Sequence, residues 1–337
     1  MKKLVVSGIA VLPALIASSA MAAETINAAG ATFPAPIYQK WFEEYKTAHP
    51  DVQINYQAIG SGGGIRQLTE GTVDFGASDQ PMTDEQIKAV KVKPLHFPTV
   101  MGAVVLTYNI PGVTTTLKLS PEVIAGIYLG SVTKWNDPKI MADNKGVTLP
   151  NKEVEVVHRS DGSGTTFVFT DYLSKVSPDW KMKVGANASV SWPLGLGGKG
   201  SDGVAGLVKQ TPNSIGYVEL IFAAQNKLEY ADVKNAAGKF IHPSFMSVSA
   251  AASNSKEMPE DFRVSITNAP GAESYPISTF TWLLVPSQIA DPTKKKAISD
   301  FLGWMMTNGQ KDCEGLSYAQ LPKAVVAKEQ AQIRMIK

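Results

Sequence analysis

Val154-Glu155-Val156-Val157-His158-Arg159-Ser160-Asp161-Gly162-Ser163-Gly164-Thr165-Thr166 is a β-branched run followed by a Ser/Gly/Thr turn, and it leads directly into the apolar, helix-length stretch from Phe167 to Leu173. A strand that turns at once into a helix leaves the helix's first backbone N–H groups without partners. Hydroxyls beside those groups make that end a natural seat for an oxyanion. Arg159, just before the turn, adds on this reading a planar fork for two of the anion's oxygens. The same residues also suit a plain helix start with Ser or Thr as N-cap, and the local sequence leaves both readings open.

Two further segments share the design. In Asn27-Ala28-Ala29-Gly30-Ala31-Thr32-Phe33-Pro34-Ala35-Pro36, Gly30 and Thr32 precede a Pro-started helix that Thr32 can cap. Ile59-Gly60-Ser61-Gly62-Gly63-Gly64-Ile65 again passes from a strand through Ser and glycines towards a helix, which should begin near Ile65 and run through Leu68. Each places N–H groups and a hydroxyl at the carboxyl end of a strand, where open α/β sheets bind ligands. Singly each reads as a structural turn; together, with an arginine beside one of them, they point to an anion cradle.

Asp79, in Phe75-Gly76-Ala77-Ser78-Asp79-Gln80-Pro81, has a bland reading as the cap of a helix starting around Pro81 to Ile87. Within an oxyanion site a carboxylate repels its ligand unless the ligand carries a proton. Phosphate near neutral pH retains one or two protons and sulfate retains none. A buried acceptor therefore discriminates between them, because an unpaired buried polar contact costs roughly 1–3 kcal/mol.

The N-terminus bears on location. Lys2 and Lys3 precede an apolar run from Leu4 to Ile16, and Ala20-Met21-Ala22 offers a small-x-small cleavage site. This pattern predicts a cleaved secretory signal peptide over residues 1–22, too short for a membrane span, and hence a soluble periplasmic protein. No cysteine lies near the cleavage site to take a lipid, so no direct membrane anchoring is expected. The 337-residue chain has a formal net charge of +2, and removing Lys2 and Lys3 leaves it neutral. A neutral exterior argues against nucleic acid or membrane surface as a partner. Any anion must then be held by local dipoles and hydrogen bonds. Cys313 is the sole cysteine, which excludes an intrachain disulfide, and His49, His96, His158 and His242 show no metal-ligand spacing. No metal and no cofactor are expected.

Along the chain, short strands are expected at 52–56, 73–78, 101–108, 154–158, 215–218 and 280–285. Ile37, Trp41, Phe42 and Tyr45 fall on one helical face, and Phe301, Leu302, Met305 and Met306 on another. This alternation predicts an α/β fold with mainly parallel sheets flanked by helices. The Gly- and Ser-rich stretch from Asn187 to Gly203 reads as one or two ordered loops.

Taken in order, several motifs resemble the periplasmic phosphate-binding proteins of high-affinity phosphate ABC importers, over essentially the whole mature chain. They are Gly30-Ala31-Thr32-Phe33-Pro34-Ala35-Pro36, Gly60-Ser61-Gly62-Gly63-Gly64, Val73-Asp74-Phe75-Gly76-Ala77-Ser78-Asp79 and Arg159-Ser160-Asp161-Gly162-Ser163-Gly164-Thr165. Trp192-Pro193-Leu194-Gly195-Leu196-Gly197-Gly198-Lys199-Gly200 and Ile215-Gly216-Tyr217-Val218-Glu219 belong to the same likeness. The resemblance implies a two-domain periplasmic binding protein fold, type II-like, with the ligand in the interdomain cleft. Domain I would comprise residues 23–98 plus 272–337 and domain II residues 99–271, with crossings near Phe97-Pro98-Thr99 and Tyr275-Pro276-Ile277.

For inorganic phosphate the resemblance implies backbone donors at Thr32 and Phe33, the hydroxyls of Thr32 and Ser61, and the N–H of Ser61. Asp79 would be the acceptor for the ligand's proton, Arg159 the charged contact, and Ser163, Gly164 and Thr165 the helix-start donors. Asp161 would pair with Arg159 behind the site. His158 stands where the family often carries a second arginine, which makes the mouth of the cleft less positive. The implied role is high-affinity capture and delivery by a monomer to the inner-membrane permease and ATPase subunits of an importer, with no catalytic residue.

Enzymes and other receptors compete with this reading. A serine hydrolase would want glycine two residues before its nucleophile, but Asp161 stands there relative to Ser163, and no histidine is well placed as its base. Gly195-Leu196-Gly197-Gly198-Lys199-Gly200 fits a dinucleotide glycine pattern literally, yet no clear strand precedes it, and Gly200 follows Lys199 where a phosphate loop needs Ser or Thr. A binding protein for sulfate, molybdate or an organic phosphate would use the same kind of cradle. So would an extracellular sensing protein that keeps phosphate as a structural ligand.

Overall fold

A computed structural model describes residues 23–337, so the expected signal peptide lies outside the described residues. The strands in chain order are β1 (Glu24–Gly30), β2 (Val52–Ala58), β3 (Phe75–Ser78), β4 (Pro94–Asn109), β5 (Lys118–Leu119) and β6 (Glu155–Arg159). They continue with β7 (Leu196–Gly198), β8 (Ser214–Glu219), β9 (Glu229–Tyr230), β10 (Asp232–Lys234), β11 (Phe240–Ile241) and β12 (Ser278–Pro286). A nine-stranded sheet runs β2-β1-β3-β12-β4-β8-β6-β7, with β9 also on β4, and β11-β10-β5 form a small second sheet.

The two ends of the large sheet are parallel: β2, β1 and β3 at one end, and β8, β6 and β7 at the other. Its centre is antiparallel, since β12 opposes both β3 and β4, and β4 opposes β8. The reason is topological. A chain that leaves one lobe, builds a second and returns must run back beside its outgoing strand. β4 is that outgoing strand, 16 residues long. Pairing passes from β12 to β8 between Ala103, which faces Ser278, and Val104, which faces Glu219. At the same point Val104 N–H donates to the carbonyl of Ile277 at 2.9 Å, so outgoing and returning chains lie side by side.

One apolar core runs through both lobes. Ile37, Tyr38, Trp41 and Tyr45 form the buried face of the helix Ala35–Ala48, as the 3.6-residue spacing requires. Trp41 is fully buried and donates its indole N–H to the carbonyl of Gly309 at 2.7 Å. Phe301, from the helix Pro292–Thr307, packs against Phe42 and Tyr45 and returns the C-terminal segment to the first lobe. In the second lobe Phe169 stacks on Tyr217 at 4.5 Å between centroids, and Tyr128 meets Phe169 edge-on.

Several local expectations shift. The second helix begins at Ser61 rather than near Ile65, with its three glycines inside the first turn. No helix starts at Pro81; the helix there is Asp84–Ala89, closed by a Thr83/Gln86 capping box, so Asp79 caps nothing. Thr32 does not cap the helix Ala35–Ala48 either, because Pro34 occupies the N-cap and no side-chain bond is made. The stretch read as loops contains β7 and the start of the helix Gly200–Gln210, a fourth strand–turn–helix unit.

Candidate functional site

The four helix starts meet at the seam between the lobes. From the first lobe come the turns after β1, with Thr32 and Phe33, and after β2, with Ser61. The end of β3 adds Asp79. From the second come the turns after β6, with Ser163, Gly164 and Thr165, and after β7, with Gly200 and Ser201. Thr32, Phe33, Ser61, Asp79, Arg159, Ser163 and Thr165 are each at most 5% exposed, although they come from four separate stretches of sequence.

The lobes touch through these residues. Thr32 Oγ1 lies 2.9 Å from Ser201 Oγ and also accepts the Ser201 N–H at 3.3 Å. Gly62 N–H donates to the Gly162 carbonyl at 2.9 Å, and Thr165 Oγ1 reaches Asp79 Oδ2 at 3.5 Å. Two glycines make this approach feasible. A Cβ on Gly164 would sit 2.7 Å from both N and Cβ of Asp79 and would run into Ser61 Oγ. Gly60 has φ +90°, and a Cβ there would strike the Asp161 carboxylate and sit 2.8 Å from the Gly162 carbonyl.

Backbone donors at the seam are left over by the fold. Among the described residues, the N–H groups of Thr32, Phe33, Ser61, Gly164 and Thr165 have no protein acceptor outside their own helices, and a helix's first N–H groups have none within it. Buried N–H groups without partners are costly, so a cluster of them argues for a ligand acceptor. Ser163 differs: its N–H is taken by the Ala188 carbonyl, and its Oγ caps the helix Gly164–Val176 by accepting Thr166 N–H at 3.1 Å. Only its hydroxyl hydrogen remains to be given.

Arg159 is oriented from behind. Asp161 takes its Nε at 2.7 Å and Nη2 at 2.6 Å, an ion pair whose arginine side chain is 1% exposed. Burial pushes the Asp161 pKa up, but the Arg159 hydrogen bonds and charge, with the Gly200 N–H, outweigh it and hold the carboxyl below its ordinary value. Among the described residues the opposite edge of the guanidinium carries no hydrogen bond beyond the 3.5 Å approach of Nη1 to Ser201 Oγ. Arg159 N–H donates to the Tyr217 hydroxyl at 3.1 Å, which fixes where the side chain leaves β6. His158 stacks on Trp192 with 4.8 Å between centroids, outside this constellation.

Asp79 is 1% exposed, and burial pushes its pKa up to about 7 against the opposing pull of Thr281, Arg159, Thr165 and Ser61. Its N–H donates to Ser61 Oγ at 3.2 Å, and Thr281 Oγ1 donates to its Oδ1 at 2.8 Å. Glu219, fully buried at the end of β8, accepts the Ile221 N–H, and burial drives its pKa up as well. Ser201 and Thr281 were not among the residues singled out from sequence. A Gly-Ser pair opening an amphipathic helix is the signal that marks Ser201; nothing local marks Thr281. Among the described residues no His/Cys/Asp/Glu cluster could hold a metal ion.

Two α/β lobes joined by antiparallel crossing strands, with helix starts from both lobes facing one seam, define the class of two-lobed binding proteins. A family model described as a PBP superfamily domain matches residues 16–308. Phosphate-binding protein PstS of Pasteurella multocida is 46% identical over 92% of this chain and 90% of its own length, and that of Xylella fastidiosa strain Temecula1 is 45% identical over 91% and 84%. This chain belongs to the PBP superfamily and, within it, to the PstS phosphate-binding proteins. Among solved structures, a high affinity periplasmic phosphate-binding protein with phosphate bound superposes with a TM-score of 0.74 at 21% identity, covering 91% of this chain and 93% of that one. An ABC-type phosphate transport receptor from Vibrio cholerae gives 0.57 at 19% identity, over 88% and 100%. At such identities the structural likeness shows the fold.

Proposed function

We propose that this chain captures inorganic phosphate in the periplasm and delivers it to the membrane permease and ATPase of an ABC-type importer. The lobes close on the dehydrated ion. The observation that carries the reading is the buried cluster of unpaired N–H groups from both lobes, set around one arginine and a single carboxylate. Thr32, Phe33, Ser61, Arg159, Ser163, Gly164 and Thr165 donate to phosphate oxygens, Asp79 accepts the ligand's proton, and Asp161 holds Arg159. Because Asp161 cancels much of the Arg159 charge, oriented dipoles do most of the binding, in keeping with the neutral chain. Domain I comprises residues 23–98 plus 272–337 and domain II residues 99–271; each supplies part of the shell, so an open form presents only half of it.

A binding role without covalent chemistry fits the site. The Ser163 oxygen caps a helix and the Ser61 oxygen accepts the Asp79 N–H, so both hydroxyls are placed as donors to a ligand. Export through a cleaved signal peptide accounts for the periplasmic location, and the protein acts as a monomer. Calorimetry of the mature protein with phosphate and sulfate tests the reading: tight one-to-one phosphate binding with no sulfate heat at pH 8 supports it, and equal binding of both anions overturns it.

A further inference from the structure

Asp79 has two carboxylate oxygens, and a discriminating acceptor must offer its ligand one of them in a fixed direction. The structure holds Thr281 for that purpose. Thr281 is fully buried in β12, and its Oγ1 donates to Asp79 Oδ1 at 2.8 Å. The β4–β12 ladder is out of register at this point: Thr281 faces Val100 while Trp282 faces Pro98, so Thr99 is an extra residue in β4. Pro98 has no N–H to give the ladder, which favours a break here. Such bulges re-aim side chains beside functional sites.

Side chains hold this bulge in place. Gln310 Nε2 donates to the Thr99 carbonyl at 2.8 Å, and Thr99 Oγ1 lies 2.9 Å from the Tyr38 hydroxyl and donates to the Thr281 carbonyl at 3.3 Å. The backbone of Thr281 is thus tied down from behind while its hydroxyl is aimed at Asp79.

We propose that Thr281 is a specificity-determining positioning residue: its hydroxyl occupies Asp79 Oδ1 and leaves Oδ2, on the Thr165 side, as the one carboxylate oxygen that meets the ligand. Its hydrogen bond is stronger to the ionised carboxyl, so it favours Asp79 as an acceptor and disfavours an anion that carries no proton. The inference rests on the phosphate reading above and deepens it. The other groups facing Asp79 are Arg159, which favours its ionised form, Glu219, and the buried phenols of Tyr38, Tyr56 and Tyr318. Burial raises the pKa of each of these last four, so they stay neutral while Asp79 titrates.

Sulfate is the clean probe, because it carries no proton between pH 6 and 9 and any pH dependence of its binding belongs to the protein. In the wild type, sulfate titrated alone should bind weakly and only as pH falls through about 7, where Asp79 gains the proton that it can donate. In Thr281→Val the lost donor leaves Asp79 easier to protonate, and the midpoint of direct sulfate binding moves up by roughly one pH unit. Thr281→Ser restores the hydroxyl and returns the wild-type midpoint. A purely structural role for Thr281 would weaken both anions at every pH without moving the midpoint, and that result overturns the inference. If Thr281→Val fails to fold, Thr281→Ala and Thr281→Ser give the same comparison. A wild type that binds no phosphate refutes the phosphate reading instead, so the two failures are distinct.

Discussion

Gly164→Ala separates closure from every other property of the site. Gly164 starts a helix in the second lobe, and the three atoms nearest its new Cβ (Asp79 N and Cβ at 2.7 Å, and Ser61 Oγ) belong to the first. Ordinary Cβ contacts lie at 3.4–4 Å, so the lobes must part by about 1 Å at this point to admit one methyl group. Two of the opposing atoms belong to the Asp79 backbone and Cβ, which cannot swing aside as a flexible side chain would. Seam bonds such as Gly62 to Gly162, at 2.9 Å, then stretch towards 4 Å and cease to be hydrogen bonds. A ligand gripped from both sides loses the donors of one side to the same degree. Two charge-assisted bonds at roughly 1.5–3 kcal/mol each amount to about 3–6 kcal/mol, or about 10²–10⁴-fold weaker phosphate binding. The fold of each lobe should survive, since alanine suits a helix better than glycine. Calorimetry reads the affinity, and small-angle scattering with saturating phosphate reads the closure. Gly206→Ala, whose Cβ would meet nothing within 4 Å, is the control and should bind normally. A Gly164→Ala protein that stays within about threefold of wild type and closes normally refutes the reasoning.

Asp79→Asn replaces the acceptor by a group that can also donate; the preference for phosphate over sulfate at pH 8 should fall by at least about tenfold in competition calorimetry, and an unchanged preference removes Asp79 from selectivity. Glu329 is fully buried, neither of its carboxylate oxygens has a hydrogen-bond partner among the described residues, and burial drives its pKa well up. Above the ordinary glutamate range, the unfolded chain ionises freely while the folded one must keep the proton or bury a charge, so this group makes stability fall as pH rises. Glu329→Gln should therefore match wild type in thermal melts near pH 4.5 and exceed it by about 2 °C or more at pH 8, a gap that grows with pH; a gap that is constant with pH counts against the buried neutral acid.

The strand–turn–helix units were legible wherever a β-branched run met a Ser/Gly/Thr turn and an apolar helical face, which is why β6 and the helix Gly164–Val176 stand nearly where the sequence put them. The fourth unit escaped because β7 is Leu196-Gly197-Gly198, too short and too glycine-rich to show alternation. The helix at Ser61 was placed late because glycines in its first turn oppose helix by intrinsic preference; Gly64 packs there against Gly30 and Ala77, a tertiary constraint invisible locally. Thr32 read as a cap, but Pro34 fills that position and frees its hydroxyl for Ser201 across the seam. The antiparallel centre of the sheet joins residues as far apart in sequence as Gly76 and Leu284, and no local pattern announces it. Thr281 is the sharpest case. Inside an apolar strand it reads as one more β-branched residue, and only the register break opposite Pro98 and Thr99 gives it a direction.

A crystal structure of the mature protein grown with phosphate tests the central claim most directly. It should show the ion at the seam, with oxygens within hydrogen-bond distance of the N–H groups of Phe33 and Gly164 and of the open edge of Arg159, and one oxygen against Asp79 Oδ2. Lobes closed on each other with the ion bound elsewhere, or an ion at the seam that leaves Asp79 untouched, would contradict it.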